Sequence, residues 1–186
     1  AELTLEPREL TLSNYAADNK SYDGTTDVTG DDFDDDRVEG DDLTFNYDVA
    51  FEDDNAGTDK EVLVTNISVS GDDADNYTLT TDSGTADADI APKPITIIPD
   101  SDQSKVYGTE TPDLTFTAEP ALIGEDEIEG ALGRENGKDV GNYAFKLGTL
   151  TAGDNYELSL TDDAPTFEIV KAVPEIDVAG VTATYD

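Results

Sequence analysis

The chain of 186 residues contains no cysteine, histidine, methionine or tryptophan. A disulfide, a thiolate nucleophile, an imidazole base and a zinc site built from cysteine and histidine are therefore excluded. No apolar run approaches the roughly 18 residues that a membrane-spanning helix needs. Because the chain also lacks an initiator methionine and a signal peptide, we interpret it as a segment of a longer exported protein.

Basic residues are scarce as well. Ten lysines and arginines stand against 45 aspartates and glutamates, which gives a formal net charge of −35. A field of this sign repels nucleic acid and anionic membranes, and it attracts cations. We therefore expect no nucleic-acid partner, no membrane insertion and a monomeric fragment in solution. A chain with this much net charge would be disordered if its apolar residues showed no periodic pattern. The apolar residues of this chain do show such a pattern.

An internal repeat is the clearest pattern in the sequence. Five residues near the start are matched in type 85 positions later, and the pairs are Leu5 with Ile90, Leu10 with Ile95, Leu12 with Ile97, Lys20 with Lys105 and Tyr22 with Tyr107. The pattern begins a third time, with small changes of spacing, at Ile169, Pro174, Ile176, Val178 and Tyr185. A fixed period of this kind predicts tandem units of about 80 residues each.

The repeat divides the chain into four predicted segments. Residues 1–7 are expected to close a preceding repeat, 8–93 and 94–171 to form two β modules, and 172–186 to open a following repeat. Only four residues, Ala91 to Pro94, separate Ile90 from Ile95. Since each proline fixes its own φ and biases the residue before it toward extended geometry, we predict a stiff, nearly continuous extended segment from Ala88 to Ile98.

Alternation of apolar and polar residues predicts short strands in both modules. The longest alternation predicts that one set of side chains faces the core, namely Leu43, Phe45, Tyr47, Val49 and Phe51. The intervening residues should face solvent, namely Thr44, Asn46, Asp48 and Ala50. A change of parity at Thr65-Asn66 predicts a bulge or a bend. No apolar stripe of helical period runs for three turns.

We therefore predict an all-β chain of two tandem, small, Ig-like β-sandwich modules that lie end to end. The alternative is a pair of β-grasp-like modules, each built on a sheet, with a short helix at residues 118–129. The segment from Ile123 to Leu132 is the least regular, and we interpret it as a strand pair or one short helical turn.

Several motifs resemble two known domain families. Lys20-Ser-Tyr-Asp-Gly-Thr-Thr26 and Gly71-Asp-Asp-Ala-Asp-Asn-Tyr-Thr-Leu79 are similar to the YDG domain, with Asp75 in place of the usual glycine. The second half resembles the YGX-type MBG domain at Lys105-Val-Tyr-Gly108, Pro112-Asp-Leu-Thr-Phe116, Gly133-Arg-Glu135, Asp139-Val-Gly-Asn-Tyr-Ala-Phe145, Asn155-Tyr156 and Phe167-Glu-Ile169.

These families are recurrent modules of very large bacterial surface proteins, mostly adhesins. The resemblance implies an extracellular location on the bacterial cell surface, within an array whose neighbouring repeats are the partners of this segment. It carries no known catalytic or cofactor site to any residue of this chain.

The acidic residues raise the question of calcium, which takes six to eight hard oxygen ligands. Asp32, Asp34 and Asp36 have the spacing that opens an EF-hand loop, but Arg37 stands where that loop needs glycine. A calcium site of another kind is one interpretation, and a solvated acidic surface is the other. The further calcium candidates are Asp72, Asp73 and Asp75, and, for a clamp between domains, Asp100 and Asp102. We expect no required cofactor.

The tyrosines that follow lysine by two positions, Tyr22 and Tyr107, could offer an aromatic platform to a sugar. Their recurrence favours a structural role instead, with a buried ring and a hydroxyl bonded to the backbone. Tyr77 and Tyr156, each preceded by asparagine, receive the same interpretation.

A pair of carboxylates could act as a glycosidase, but so acidic a chain offers too many pairs for any one to be informative. A module of this size also has little room for the pocket that would shift their pKa values. We therefore predict a non-catalytic stalk or extender repeat of a surface adhesin, which spaces a distal binding region from the cell. The alternative is a module of the same adhesin that binds carbohydrate or a host surface, including biofilm polysaccharide.

Overall fold

A computed structural model describes residues 5–175 and Gly180. Most of the predicted opening strand of a following repeat, with Ile176, Val178 and Tyr185, lies outside the described residues. The first four residues of the predicted closing strand at 1–7 lie outside them as well.

The chain forms two compact units. Unit 1 contains the residues up to Ile95 together with Ala121–Glu127 and Ala152–Glu157. Unit 2 contains Thr96–Pro120, Ile128–Thr151 and the residues from Leu158 onward. Two short segments of the second sequence repeat therefore make their contacts as parts of unit 1.

Unit 1 is built from short strands and one turn of 3₁₀ helix at Ala74–Asn76. Its strands are β1 (Arg8–Leu10), β2 (Leu12–Ala16), β3 (Lys20–Ser21), β4 (Asp32–Asp35), β5 (Thr44–Phe51), β6 (Gly57–Ser70), β7 (Tyr77–Leu79) and β8 (Gly84–Ala91). A four-stranded sheet has the order β3-β8-β6-β5, and two smaller sheets pair β1 with β7 and β2 with β4. The β1–β7 and β3–β8 ladders are parallel, whereas β5–β6, β6–β8 and β2–β4 are antiparallel.

The alternating segment forms β5 and behaves as predicted. Leu43 and Phe51 are buried, the three apolar residues between them are half-buried, and Asp48 is exposed with its carboxylate accepting a bond from Asn66. The predicted change of parity is a bulge in β6, because Asp48 pairs with Thr65 while Asn46 pairs with Ser68. Asn66 occupies that bulge at φ 56°, a left-handed conformation that asparagine tolerates better than most residues.

Strands of the second repeat form two further sheets. The strands are β9 (Lys93–Pro99), β10 (Ser104–Val106), β11 (Phe116–Glu119), β12 (Gly133–Arg134), β13 (Gly141–Lys146), β14 (Tyr156–Leu160) and β15 (Thr166–Val170). One sheet has the order β10-β15-β13-β12 and the other β11-β9-β14. The β10–β15 ladder is parallel, and β13–β15, β12–β13 and β11–β9 are antiparallel. The division between the units falls within β9 and β14.

Each unit has its own apolar core. In unit 1, Leu10, Val62 and Ile90 are essentially inaccessible to solvent, and in unit 2 Ile97 and Phe167 are. Full burial of one such side chain stabilises the fold by about 1.5–3 kcal/mol. No polar or charged residue is buried among the described residues, so these cores consist of apolar and aromatic side chains.

The all-β class and the tandem β modules are thus confirmed, and the Ig-like sandwich stays a prediction. The helix expected at residues 118–129 for the β-grasp alternative is wrong, because β11 is followed there by turns. The segment Ile123–Leu132 is likewise neither a strand pair nor a helical turn, and its ladder contact is a single bridge from Glu129 to Thr151. The extended segment Ala88–Ile98 is confirmed, since only Pro92 separates β8 from β9.

Candidate functional site

The start of β7 carries a tyrosine that locks an acidic turn of unit 1. Tyr77 is buried, and its hydroxyl accepts a 2.9 Å hydrogen bond from the backbone N–H of Val38. The same hydroxyl donates to Asp41 Oδ2 at 2.5 Å, and the N–H of Asp41 closes the turn on the carbonyl of Val38. One phenol thus satisfies a backbone donor and a carboxylate together.

The same arrangement recurs at the start of β14. The hydroxyl of Tyr156 accepts a 2.8 Å bond from the backbone N–H of Ile123 and donates a 2.6 Å bond to Asp126 Oδ2. The N–H of Asp126 closes its turn on the carbonyl of Ile123. Burial, with the adjacent carboxylate, raises the pKa of Tyr156 to about 12. We call these two arrangements tyrosine latches, formed by Tyr77 with Val38 and Asp41 and by Tyr156 with Ile123 and Asp126.

Tyr22 joins the second latch. Its ring is buried and packs edge-on against the ring of Tyr156, with 5.3 Å between the centroids. Its hydroxyl lies 3.3 Å from Asp126 Oδ2, so the structural interpretation of Tyr22 is correct but the hydroxyl bonds to a side chain and not to the backbone. All of these residues belong to unit 1.

Tyr107 differs from Tyr22 although both occupy the same position of the repeat. Its side chain is 51% exposed, so the prediction of a buried ring was wrong for this residue. Tyr107 follows β10, which lies at the edge of its sheet, and its backbone N–H bonds to the carbonyl of Val170. The backbone is therefore fixed while the ring is left in solvent.

The first group of calcium candidates lies on strand β4 and the residue after it. Asp32, Asp34 and Asp36 are exposed, and they alternate along extended backbone instead of converging in a loop. Their oxygens accept hydrogen bonds from the protein. Asp34 Oδ2 accepts from Asn14 Nδ2 at 2.7 Å, and Asp36 Oδ1 accepts from the backbone N–H of Thr11 at 2.8 Å.

The other candidates lie in turns. Asp73 Oδ2 accepts a bond from the backbone N–H of Asp42, and Asp72 and Asp75 flank it around the 3₁₀ helix. Asp100 and Asp102 lie in the turn between β9 and β10, where Asp102 has φ 62°. Across the described residues, no group of three or more acidic side chains is arranged to hold a metal ion. Calcium binding therefore stays a prediction.

A groove of about 920 Å³ in unit 2 gathers three of the ten basic residues of the chain. Lys105, Arg134 and Lys138 line it together with apolar side chains such as Leu114 and Phe116. Lys105 and Lys138 also line a neighbouring depression beside the exposed ring of Tyr107. In so acidic a protein, the groove therefore brings three cationic side chains together.

Arg134 is held in place by the protein itself. Its guanidinium carbon lies 4.9 Å from the ring centroid of Phe167 and 5.1 Å from that of Tyr143. Its N–H groups donate to the carbonyls of Glu135 and Gly137 and to Thr111 Oγ1. Lysine cannot replace arginine in this position, because it lacks the planar guanidinium group that stacks on aromatic rings. The side chain of Arg134 therefore stabilises the wall of the groove, and the protein itself already occupies its N–H groups.

Where an ion pair shifts the pKa of a carboxyl group, the shift is in the wrong direction for a general acid. The hydrogen bond from Arg37 holds the pKa of Asp35 below its ordinary value, and that from Lys60 does the same for Asp53. A general acid that works near neutrality needs the opposite shift.

These features define the class of protein as an all-β chain of tandem repeat modules. In particular, residues 6–85 match the YDG domain and residues 95–166 match the MBG domain (YGX type), so the chain carries a YDG domain followed by an MBG domain. These domains indicate a repeat-type module of large surface proteins, and neither family is known to be catalytic. No curated protein and no solved structure matches the chain. None of the helices within the described part of the chain could span a membrane.

Proposed function

We propose that this chain is a non-catalytic structural repeat of a large bacterial adhesin, located outside the cell on its surface. In this role it spaces a distal binding region from the cell, and its partners are the neighbouring repeats of the same protein. The observation that carries the proposal is the succession of a YDG domain and an MBG domain in one chain. The tyrosine latches support it, because these aromatic residues serve the folded structure and are not displayed to a ligand.

The spacing role is tested by placing the chain between a surface anchor and an epitope on a bacterial cell. We expect a large antibody to reach the epitope more readily when the chain is present than when a Gly/Ser linker of equal length replaces it, because such a linker behaves as a random coil. Equal accessibility with both spacers would contradict a spacing role.

Carbohydrate binding is the second candidate function, and the exposed ring of Tyr107 next to Lys105 and Lys138 favours it. An aromatic face can stack on a sugar while neighbouring polar groups orient it. A glycan array probed with the chain tests this candidate against the first. Binding that is lost in Tyr107→Ala would support the binding module, whereas no signal on any glycan supports the stalk.

A further inference from the structure

Among the described residues, parallel ladders connect an early strand with a late strand of the same unit. In unit 1, β1 pairs with β7 and β3 pairs with β8, and in unit 2 β10 pairs with β15. The hairpin of β5 and β6, by contrast, is antiparallel. The two sequence repeats therefore share a parallel connection between the strand that carries Lys20 or Lys105 and the last strand of the repeat.

The orientation of a ladder decides how tension along the chain acts on its hydrogen bonds. Tension pulls the earlier strand toward its N-terminal end and the later strand toward its C-terminal end. In a parallel pair these ends are opposite, so the strands must slide past one another and all bonds of the ladder are strained together. In an antiparallel hairpin the two ends lie side by side, so the bonds open one after another.

Backbone hydrogen bonds of ordinary length join the strands of these parallel ladders, and the later strand of each ladder carries buried apolar side chains. The N–H of Tyr22 donates to the carbonyl of Ala91 at 2.8 Å in unit 1. In unit 2, Glu168 donates to Gln103 at 3.0 Å and Tyr107 to Val170 at 2.8 Å. Ile90 of β8 and both Phe167 and Ile169 of β15 are almost completely buried. These buried side chains fix β8 and β15 in their cores, and under tension the earlier strands would slide against them.

We propose that the β3–β8 and β10–β15 ladders are shear clamps, which keep each unit folded when tension acts along the chain. The clamp rests on the proposed function, since a repeat between an anchor and an attached binding region carries the tension between them. This role requires resistance to unfolding under tension, and the clamp would supply that resistance.

Single-molecule force spectroscopy on the full chain tests the clamp by changing the direction of pulling. The chain has no cysteine, so attachment sites can be introduced at chosen positions without competing thiols. One variant is pulled through its two chain ends, which shears β10 against β15. The other carries Ser104→Cys and Thr166→Cys, two exposed residues at the N-terminal ends of these strands, and is peeled open from one side. We expect unit 2 to unfold at a severalfold higher force in the first geometry, and equal forces would overturn the clamp.

A substitution tests the same bonds without changing the geometry. Tyr107→Pro removes the N–H that bonds to Val170, at the position directly after β10. Tyr107→Ala keeps that N–H and serves as the matched control. We expect the end-to-end unfolding force of unit 2 to fall in the proline variant only, and a force unchanged in both variants would count against the clamp.

The two proposals can fail separately. If the proline variant does not fold, the comparison of pulling directions still decides the question of the clamp. If the chain resists force but does not improve epitope access, the spacing role fails while the clamp stands. If epitope access improves but the chain unfolds at the same low force in both directions, the clamp fails while the spacing role stands.

Discussion

The hydroxyl of Tyr156 lies 2.6 Å from Asp126 Oδ2 and 2.8 Å from the backbone nitrogen of Ile123. Tyr77 makes the same two bonds to Asp41 and to Val38. The latched turns are 85 residues apart, which is the period of the sequence repeat. The latched turns thus recur with the sequence repeat, whereas Tyr77 and Tyr156 are 79 residues apart.

Loss of the Tyr156 hydroxyl should destabilise the protein. In Tyr156→Phe, the N–H of Ile123 loses its partner and Asp126 Oδ2 keeps only the longer 3.3 Å bond from Tyr22. We expect the free energy of unfolding to fall by about 1–3 kcal/mol. Urea unfolding followed by circular dichroism measures the change. Tyr107→Phe, which alters an exposed ring, is the control and should leave stability unchanged. Equal stability of Tyr156→Phe and the parent chain would show that the latch is dispensable.

Alkaline pH should destabilise the protein once the pH rises above 10, where the tyrosines of an unfolded chain ionise. A hydrogen bond to Asp31 raises the pKa of Tyr47 to about 12, and burial raises that of Tyr156 to about 12, from an ordinary value of 10.0. Because the folded state holds these protons more tightly, their contribution to stability is complete below pH 10 and is lost as pH rises toward 12. Melting temperature against pH, with tyrosinate absorbance as a second signal, measures this loss. Tyr47→Phe should make the fall shallower, and an identical profile in that variant would contradict the assignment.

Gly24→Ala should be costly for two reasons. Gly24 has φ 73°, where a residue with a Cβ loses about 1–2 kcal/mol, and its added Cβ would lie 2.7 Å from Ile123 Cγ2. Gly153→Ala is the matched control, because Gly153 has φ 81° but open space around it. We expect both variants to melt earlier and Gly24→Ala to lose more stability than the control. Equal losses would show that the contact with Ile123 can relax.

Cations should raise the melting temperature, because a net charge of −35 repels itself in the compact state. Sodium screens this repulsion, whereas calcium would add stability by mass action if it binds the native state at sites such as Asp32 or Asp100. The measurement is calorimetry in calcium chloride and in sodium chloride at matched ionic strength. A larger effect of calcium supports specific sites, and equal effects leave screening alone.

Arg134→Lys should destabilise unit 2 even though the charge is kept. Lysine cannot stack a planar fork between Tyr143 and Phe167 or bond to two carbonyls and a hydroxyl at once. We expect a loss of about 1–3 kcal/mol, on the scale of hydrogen bonds to charged groups. Lys138→Ala removes an exposed lysine side chain from the same groove and should leave the free energy of unfolding nearly unchanged. A neutral Arg134→Lys would show that charge alone matters there.

The strands could be predicted from the sequence where one face of the strand is buried and the other is exposed to solvent. The alternation from Leu43 to Phe51 and the parity change at Asn66 follow directly from the two-residue period of a strand, and both were correct. The exposure of Tyr107 could not be predicted in this way. It depends on β10 lying at a sheet edge, which pairing across the module decides and local sequence does not.

The latches were hidden from the sequence for a different reason. Asp41 and Asp126 are two among 45 acidic residues, so nothing marks them as partners of a tyrosine. The offset of 85 between Val38 and Ile123 would have been the signal, but both residues lie in irregular segments. The sequence encodes regular secondary structure in a local periodicity of apolar residues. A latch instead depends on residues that come into contact only in the folded module.

The pairing of β3 with β8 also governs when a module can complete its fold during synthesis. Lys20 pairs with Ile90, 70 residues later, so the four-stranded sheet of unit 1 cannot close until nearly the whole module is available. Contacts of such long sequence separation form slowly, because the chain must first close a large loop. Each module should therefore complete its fold only after its last strand has been synthesised, which favours folding in the order of synthesis.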